Sequence, residues 1–189
     1  MKQPRQGGQI ILVGGGVRSG KSRFALNLAR RFGNRKVFLA TAEARDQEMA
    51  ERIAYHRRRR GDEFETIEEP LAIASALARV HADVVVVDCV TIWLANLLLR
   101  GDGAEKIVDQ VDGLIAALRE LPMHAVLVTN EVGMGIVPDH PLGRAFRDIA
   151  GAAHQRFSRE SDQLYFAVLG TILRLKPGPV EVCSEGEPE

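Results

Sequence analysis

The strongest constraint on this chain is a junction near its amino terminus. An apolar run, Ile10 to Val13, stops at three glycines, and the segment Gly15-Gly16-Val17-Arg18-Ser19-Gly20-Lys21-Ser22 fits the pattern G-x-x-x-x-G-K-[ST]. Beyond it Ala25, Leu28, Ala29 and Phe32 recur at helical spacing until Gly33 ends the pattern. A buried strand must therefore turn through a flexible loop into an amphipathic helix. The glycines let backbone N–H groups curl around phosphate oxygens, and the following helix points its positive end at the same place. Lys21 is expected to reach the β- and γ-phosphates of a nucleoside triphosphate, and the Ser22 hydroxyl to bind Mg2+.

The rest of the chain continues the alternation. Val37 to Ala40 reads as a second strand and Asp46 to Arg60 as a helix with Met49, Ala50 and Ile53 on one face. Phe64 to Ile67 suits a short strand, and Pro70 a helix start ahead of Ile73, Ala74 and Leu77. The run Val84 to Val87 is the pattern of a strand covered on both faces. Thr91 to Leu99 is apolar nearly all round, so that helix should be deeply packed. Ile107, Val111, Leu114, Ile115 and Leu118 mark an amphipathic helix, and Ala125 to Thr129 another strand. Glu131 to Pro141 should be an exposed loop. Ala145, Phe146, Ile149, Ala153 and Phe157 mark a long helix, and Leu164 to Leu169 and Ile172 to Leu175 two closing strands.

Strands alternating with helices imply an α/β fold: a mostly parallel sheet with helices on both faces, in a single domain. No helix separates the last two strands, so one of them should be antiparallel. Residues 1–9 read as a polar extension, 10–176 as the folded domain and 177–189 as a disordered acidic tail.

Composition narrows the partners. Lys plus Arg and Asp plus Glu are both 25, so no global field draws the chain to nucleic acid or to an anionic membrane. No apolar run approaches the roughly 20 residues of a membrane helix, and the polar start lacks the core of a signal peptide. Cys89 and Cys183 fit neither a zinc nor a disulfide framework, so the cytoplasm is the expected compartment.

Ligands of open α/β sheets sit outside the carboxyl ends of the strands. That edge should collect the phosphate loop, Thr41, Asp88 and Glu131. Asp88 directly follows the valine strand, where a nucleotide-binding protein of this kind places the acid that holds Mg2+; the alternative is an N-cap for the next helix, and the apolar strand with its terminal Asp favours the metal role. Thr41 and Glu131 fit capping or ligand contact alike. His56, followed by Arg57, Arg58, Arg59 and Arg60, fits the cationic end of a solvated helix. It also fits a nucleophile: a neutral imidazole can attack the α-phosphorus of a triphosphate while arginines stabilise the developing charge. His81, His124, His140 and His154 form no metal spacing and read as surface or core residues.

From about Ile10 to Lys176 the sequence resembles the bifunctional adenosylcobinamide kinase / adenosylcobinamide-phosphate guanylyltransferases of cobalamin biosynthesis. The resemblance rests on Leu12-Val13 and the phosphate loop, Ala40-Thr41-Ala42, Glu48-Met49-Ala50, Arg52-Ile53, His56, Asp88-Cys89-Val90-Thr91 and Asn96-Leu97-Leu98. It is most specific over Leu127-Val128-Thr129-Asn130-Glu131-Val132-Gly133-Met134-Gly135-Ile136-Val137-Pro138 and Phe146-Arg147-Asp148-Ile149-Ala150-Gly151. It implies a RecA-like P-loop fold, typically a homotrimer, and two reactions. The first phosphorylates the aminopropanol hydroxyl of the corrinoid adenosylcobinamide with ATP or GTP. The second transfers GMP from GTP to the resulting phosphate through a guanylylated histidine, here His56. It further implies guanine-nucleotide contacts at Gly15, Gly16, Val17, Arg18, Ser19, Gly20, Lys21 and Ser22, at Ala40, Thr41 and Ala42, at Arg57 to Arg60 and at Glu68.

The nearest alternative is a monofunctional P-loop kinase of another small molecule, which explains Lys21, Ser22 and Asp88 but leaves the His56 segment idle. A GTPase switch would need a guanine-reading N-K-x-D, which the sequence lacks; the D-x-x-G at Asp148 to Gly151 falls in a helical pattern. A nucleic-acid-dependent ATPase is disfavoured by zero net charge and few aromatic residues.

Overall fold

The computed structural model describes residues 7–43, 47, 51 and 61–183. The strands are β1 (Ile10–Gly15), β2 (Lys36–Ala40), β3 (Phe64–Glu68), β4 (Val84–Asp88), β5 (His124–Asn130), β6 (Gln163–Val168), β7 (Thr171–Lys176) and β8 (Glu181–Cys183). The helices are α1 (Lys21–Ala29), α2 (Ile73–Leu77), α3 (Val90–Leu99), α4 (Ala104–Glu120) and α5 (Pro141–Glu160). The expected helix over Asp46 to Arg60 lies outside the described residues apart from Gln47 and Glu51, whose side chains share a hydrogen bond.

One eight-stranded sheet runs in the order β3-β2-β4-β5-β1-β6-β7-β8. The pairs from β3 through to β6 are all parallel. β7 turns back antiparallel on β6, as the missing helix between them requires.

The strands are apolar at successive positions because both faces are covered. Ile10 and Leu12 point into one core with Val85, Val87, Leu127 and the inner faces of α2 to α5. Ile11 and Val13 point into the other with Val84, Val86, Val126, Val128 and the α1 residues Ala25, Leu26 and Ala29. The two-residue side-chain period of a strand produces that division. Phe157, fully buried on α5, joins the first core; burying such a side chain is worth about 1.5–3 kcal/mol.

Three local expectations change. The helix placed near Pro70 begins only at Ile73, because the Glu69 carboxylate accepts the N–H groups of Leu71 and Ala72 and holds that stretch in a turn. Within the stretch expected as a disordered tail, Glu181–Cys183 pairs antiparallel with β7, and Arg174 and Glu181 form an ion pair across the two strands. Backbone pairing at a sheet edge needs little side-chain apolarity, so polarity was a poor guide there. At the other end, Gly8 and Gln9 already belong to the packed domain: the Gly8 N–H donates to the Leu121 carbonyl, and Gln9 bonds to His124 and Ala125.

Candidate active site

β1 delivers the glycine loop to the carboxyl edge of the sheet. Gly15 ends the strand where a Cβ would lie 2.5 Å from the Ala167 carbonyl oxygen of β6, so only glycine fits without displacing backbone. Gly20 enters α1 with φ 93°, a left-handed conformation that glycine adopts at no steric cost. Between them the Ser19 N–H donates to the Gly16 carbonyl at 3.3 Å. The Ser19 hydroxyl is buried without a hydrogen-bond partner among the described residues, as a polar atom built to receive a ligand oxygen would be. Val17 and Arg18 are exposed on the rim of the loop.

Lys21, the first residue of α1, is buried and donates from Nζ to the Gly16 carbonyl at 3.0 Å. Burial lowers its pKa; the negative charge of Asp88 and the neighbouring Cys89 oppose that shift. Asp88 ends β4, so its carboxylate lies within electrostatic reach of the ammonium at the head of α1. Ser22 stands next to Lys21 at the head of α1, half-buried.

A compact polar network fixes the end of β4. Thr41, fully buried just beyond β2, accepts from the Cys89 N–H at 2.8 Å and donates to the Cys89 carbonyl at 2.9 Å. Its own N–H donates to the Asp88 carbonyl, and its carbonyl accepts from Asn96 of α3 at 2.8 Å. Thr91 accepts from the Asn130 N–H at 2.9 Å and lies 3.4 Å from the Cys89 sulfur. The Thr41 side chain is thus committed to joining β2 to β4 rather than left open at the edge. The Cys89 thiol is pushed up to about 11, first by burial and then by Asp88.

At the end of β5, the Glu131 N–H donates to the Gly15 carbonyl at 3.0 Å. The Thr129 hydroxyl lies 2.7 Å from His154 Nε2, and His154 Nδ1 lies 3.9 Å from Glu131 Oε2. Burial lowers the pKa of His154, against the opposing charge of Glu131.

The structure therefore brings Gly15 to Ser22, Thr41, Asp88 and Glu131 to one edge of the sheet. Ala40 and Ala42 flank Thr41 and are half-buried; Glu68 is exposed at the end of β3, paired in register with Ala40. His56, Arg57, Arg58, Arg59 and Arg60 lie outside the described residues. His154 was legible only as a surface or core histidine, although a signal existed. It falls four residues after Ala150 and three before Phe157, on the buried face of an amphipathic helix, where an imidazole needs a polar partner. His140 caps α5, accepting the Leu142 N–H.

Comparison with known proteins agrees with this geometry. The family described as "Cobinamide kinase / cobinamide phosphate guanyltransferase" matches residues 11–175. The chain is 43% identical over 172 residues to the bifunctional adenosylcobalamin biosynthesis protein CobP of Pseudomonas aeruginosa, covering 89% of this chain and 98% of that one. It is 38% identical over 184 residues to the bifunctional adenosylcobalamin biosynthesis protein CobU of Escherichia coli, covering 88% and 99%. Among solved structures, the flagellar accessory protein FlaH of Methanocaldococcus jannaschii superposes with a TM-score of 0.53 at 13% identity, covering 94% of this chain and 79% of that one. A second solved structure, of an ATPase domain, gives 0.52 at 14% identity, covering 92% and 79%. These likenesses in structure establish the fold alone, and the sequence matches carry the further conclusion: the chain belongs to the cobinamide kinase / cobinamide phosphate guanyltransferase family.

Proposed function

We propose that the protein phosphorylates adenosylcobinamide with ATP or GTP and then transfers GMP from GTP to the product, giving adenosylcobinamide-GDP and pyrophosphate. The observation that carries this reading is the family match across residues 11–175 in a chain whose phosphate loop, Lys21 and Asp88 meet at one sheet edge. In the first reaction the hydroxyl oxygen of the corrinoid side chain bonds to the γ-phosphorus and the nucleoside diphosphate leaves. The N–H groups of the loop and the Lys21 ammonium hold the β- and γ-phosphates and stabilise the charge that builds on them.

In the second reaction an imidazole nitrogen of His56 bonds to the α-phosphorus of GTP and pyrophosphate leaves. A phosphate oxygen of adenosylcobinamide phosphate then displaces the imidazole. Arg57 to Arg60 follow His56 directly and would neutralise the phosphates; Ala40 to Ala42 and Glu68 line the part of the edge assigned to the guanine nucleotide. Mg2+ fits the same site. Among the described residues no group of three or more His, Cys, Asp or Glu converges on a point, but Mg2+ keeps several waters and takes one or two protein oxygens beside the phosphates. Ser22 and Asp88 offer those oxygens, and the bound ion would neutralise charge on the phosphates. The reading also takes in a homotrimer, as the family resemblance implies, in the reducing cytoplasm that two free cysteines fit; no described helix is long and apolar enough to cross a membrane.

The test is covalent labelling. Protein incubated with Mg2+ and GTP carrying label in the α-phosphate should retain label that acid removes and alkali does not, the behaviour of a phosphoramidate. His56→Ala should retain none. An unlabelled wild-type protein that still binds GTP would reduce the function to a P-loop kinase.

A further inference from the structure

The side chains at the carboxyl end of β5 are ordered more tightly than the proposed function uses. Glu131 is fixed at two points and faces a third group. Its N–H donates to the carbonyl of Gly15, the first residue of the phosphate loop, at 3.0 Å. One carboxylate oxygen, Oε1, accepts the Gly133 N–H at 2.5 Å, and the other, Oε2, faces His154 Nδ1 at 3.9 Å. The loop wraps the carboxylate so closely that a Cβ on Gly133 would lie 2.8 Å from Oε1. Arg147 of α5 holds the turn from outside by donating to the Gly133 carbonyl at 2.7 Å. A glutamate that merely kept a loop soluble would need none of these restraints.

His154 is restrained in turn. Its ring sits on the buried face of α5, and its Nε2 lies 2.7 Å from the hydroxyl of Thr129, a residue 3% exposed. A carboxylate beside Nδ1 favours the tautomer with its proton on that nitrogen, so Nε2 accepts from the Thr129 hydroxyl. At 3.9 Å the Nδ1–H does not bond directly to Glu131, but the ring stands beside the carboxylate oxygen that Gly133 leaves open. Thr129 and Glu131 bracket Asn130, which pairs in register with Gly15. The carboxylate is therefore anchored one residue beyond the start of the phosphate loop, on the neighbouring strand, and its side chain remains about one quarter exposed.

We infer that Glu131 is the proton acceptor of the kinase step, with His154 and Thr129 as positioning residues that aim its carboxylate. The inference rests on the kinase reading proposed above. As the acceptor hydroxyl oxygen bonds to the γ-phosphorus and the bond from that phosphorus to the bridging oxygen breaks, the hydroxyl proton passes to the Glu131 carboxylate. The nucleoside diphosphate departs, and the proton is later lost to water. Asp88 has a different task, because its charge is engaged with Lys21 and it is the oxygen donor proposed above for Mg2+.

Single-turnover kinetics with adenosylcobinamide and ATP test the assignment. Glu131→Gln keeps the acceptor for Gly133 but cannot take a proton near neutrality. It should lower the rate of phosphoryl transfer by about 100-fold or more, the contribution of a positioned base, with KM for both substrates and the dissociation constant for ATP unchanged. Glu131→Asp, which retains a base on a shorter stem, should recover part of that loss. His154→Gln and Thr129→Val should lower the rate less, again without moving KM, because they disturb aim and not binding. A Glu131→Gln protein with wild-type rate would overturn the assignment. So would a loss that appears in KM or in ATP affinity in proportion, which would make Glu131 a binding residue. Should Glu131→Gln fail to fold, Glu131→Asp and Thr129→Val decide by the same split between rate and KM. A wild-type protein that forms no adenosylcobinamide phosphate would instead remove the kinase reading itself.

Discussion

Replacing Thr41 by valine isolates the tie between β2 and β4. The side chain is fully buried, and valine matches its shape. Two hydrogen bonds to the Cys89 backbone disappear, one at 2.8 Å and one at 2.9 Å. Each is worth about 1 kcal/mol net, and leaving a buried N–H unpaired costs about 1–3 kcal/mol. The sum is about 2–4 kcal/mol, because the two terms overlap. For a chain of this length each kcal/mol moves the melting temperature by about 2–4 °C, so Thr41→Val should melt roughly 5–15 °C lower. Thr41→Ser keeps the hydroxyl and loses one methyl group, about 1 kcal/mol. Urea titration of the three proteins, with calorimetric melting as a second measure, gives both differences. Equal stability of the valine and serine variants would refute the reasoning, since the hydroxyl would then contribute nothing. The valine variant should also bind nucleotide more weakly, because the same tie holds the residue next to Asp88.

Two further outcomes follow from the side chains around the site. The Cys89 thiol, buried and pushed up to about 11, should resist alkylation at neutral pH while half-buried Cys183 reacts, as peptide mass spectrometry after timed labelling would reveal; rapid labelling of Cys89 in folded protein would contradict its burial. Burial lowers the pKa of His154, and of His124 likewise, below the ordinary histidine value of about 6.5. The neutral rings therefore contribute stability that is complete above about pH 6.5 and declines as pH falls toward the folded-state values, where the unfolded chain binds protons first. Urea midpoints measured down the acid limb should fall less steeply for His154→Gln than for the wild type, and identical slopes would sink the assignment.

The features legible in sequence were those whose cause is local. Ile10 to Val13 and Val84 to Val87 announce strands because both faces of each are buried, and the glycine loop announces its turn through residues that only that backbone requires. Asp88 was legible because it ends such a strand. The partnership of Thr129 with His154 was not, because it joins residues 25 apart on different elements and depends on how α5 packs against the sheet. The Thr41–Cys89 tie spans 48 residues and was invisible for the same reason; Thr41 alone suited a cap or a ligand contact. β8 was missed because a strand of three residues owes its form to its neighbour and not to its own composition.

The order β4-β5-β1 also works as a ruler. Neighbouring strands stand about 4.8 Å apart, so the strand ending in Asp88 runs roughly 10 Å from the one feeding the phosphate loop. That interval is set by two rows of backbone hydrogen bonds and by no side chain. β5 fills that interval, and its last residue, Asn130, stands between the Asp88 end of β4 and the start of the loop. Evolution can therefore exchange valine for isoleucine throughout the core, or reshape every loop at the edge, without altering that spacing. Only a change that removes or inserts a strand would rescale it, and the gauge on which the chemistry runs is as durable as the sheet itself.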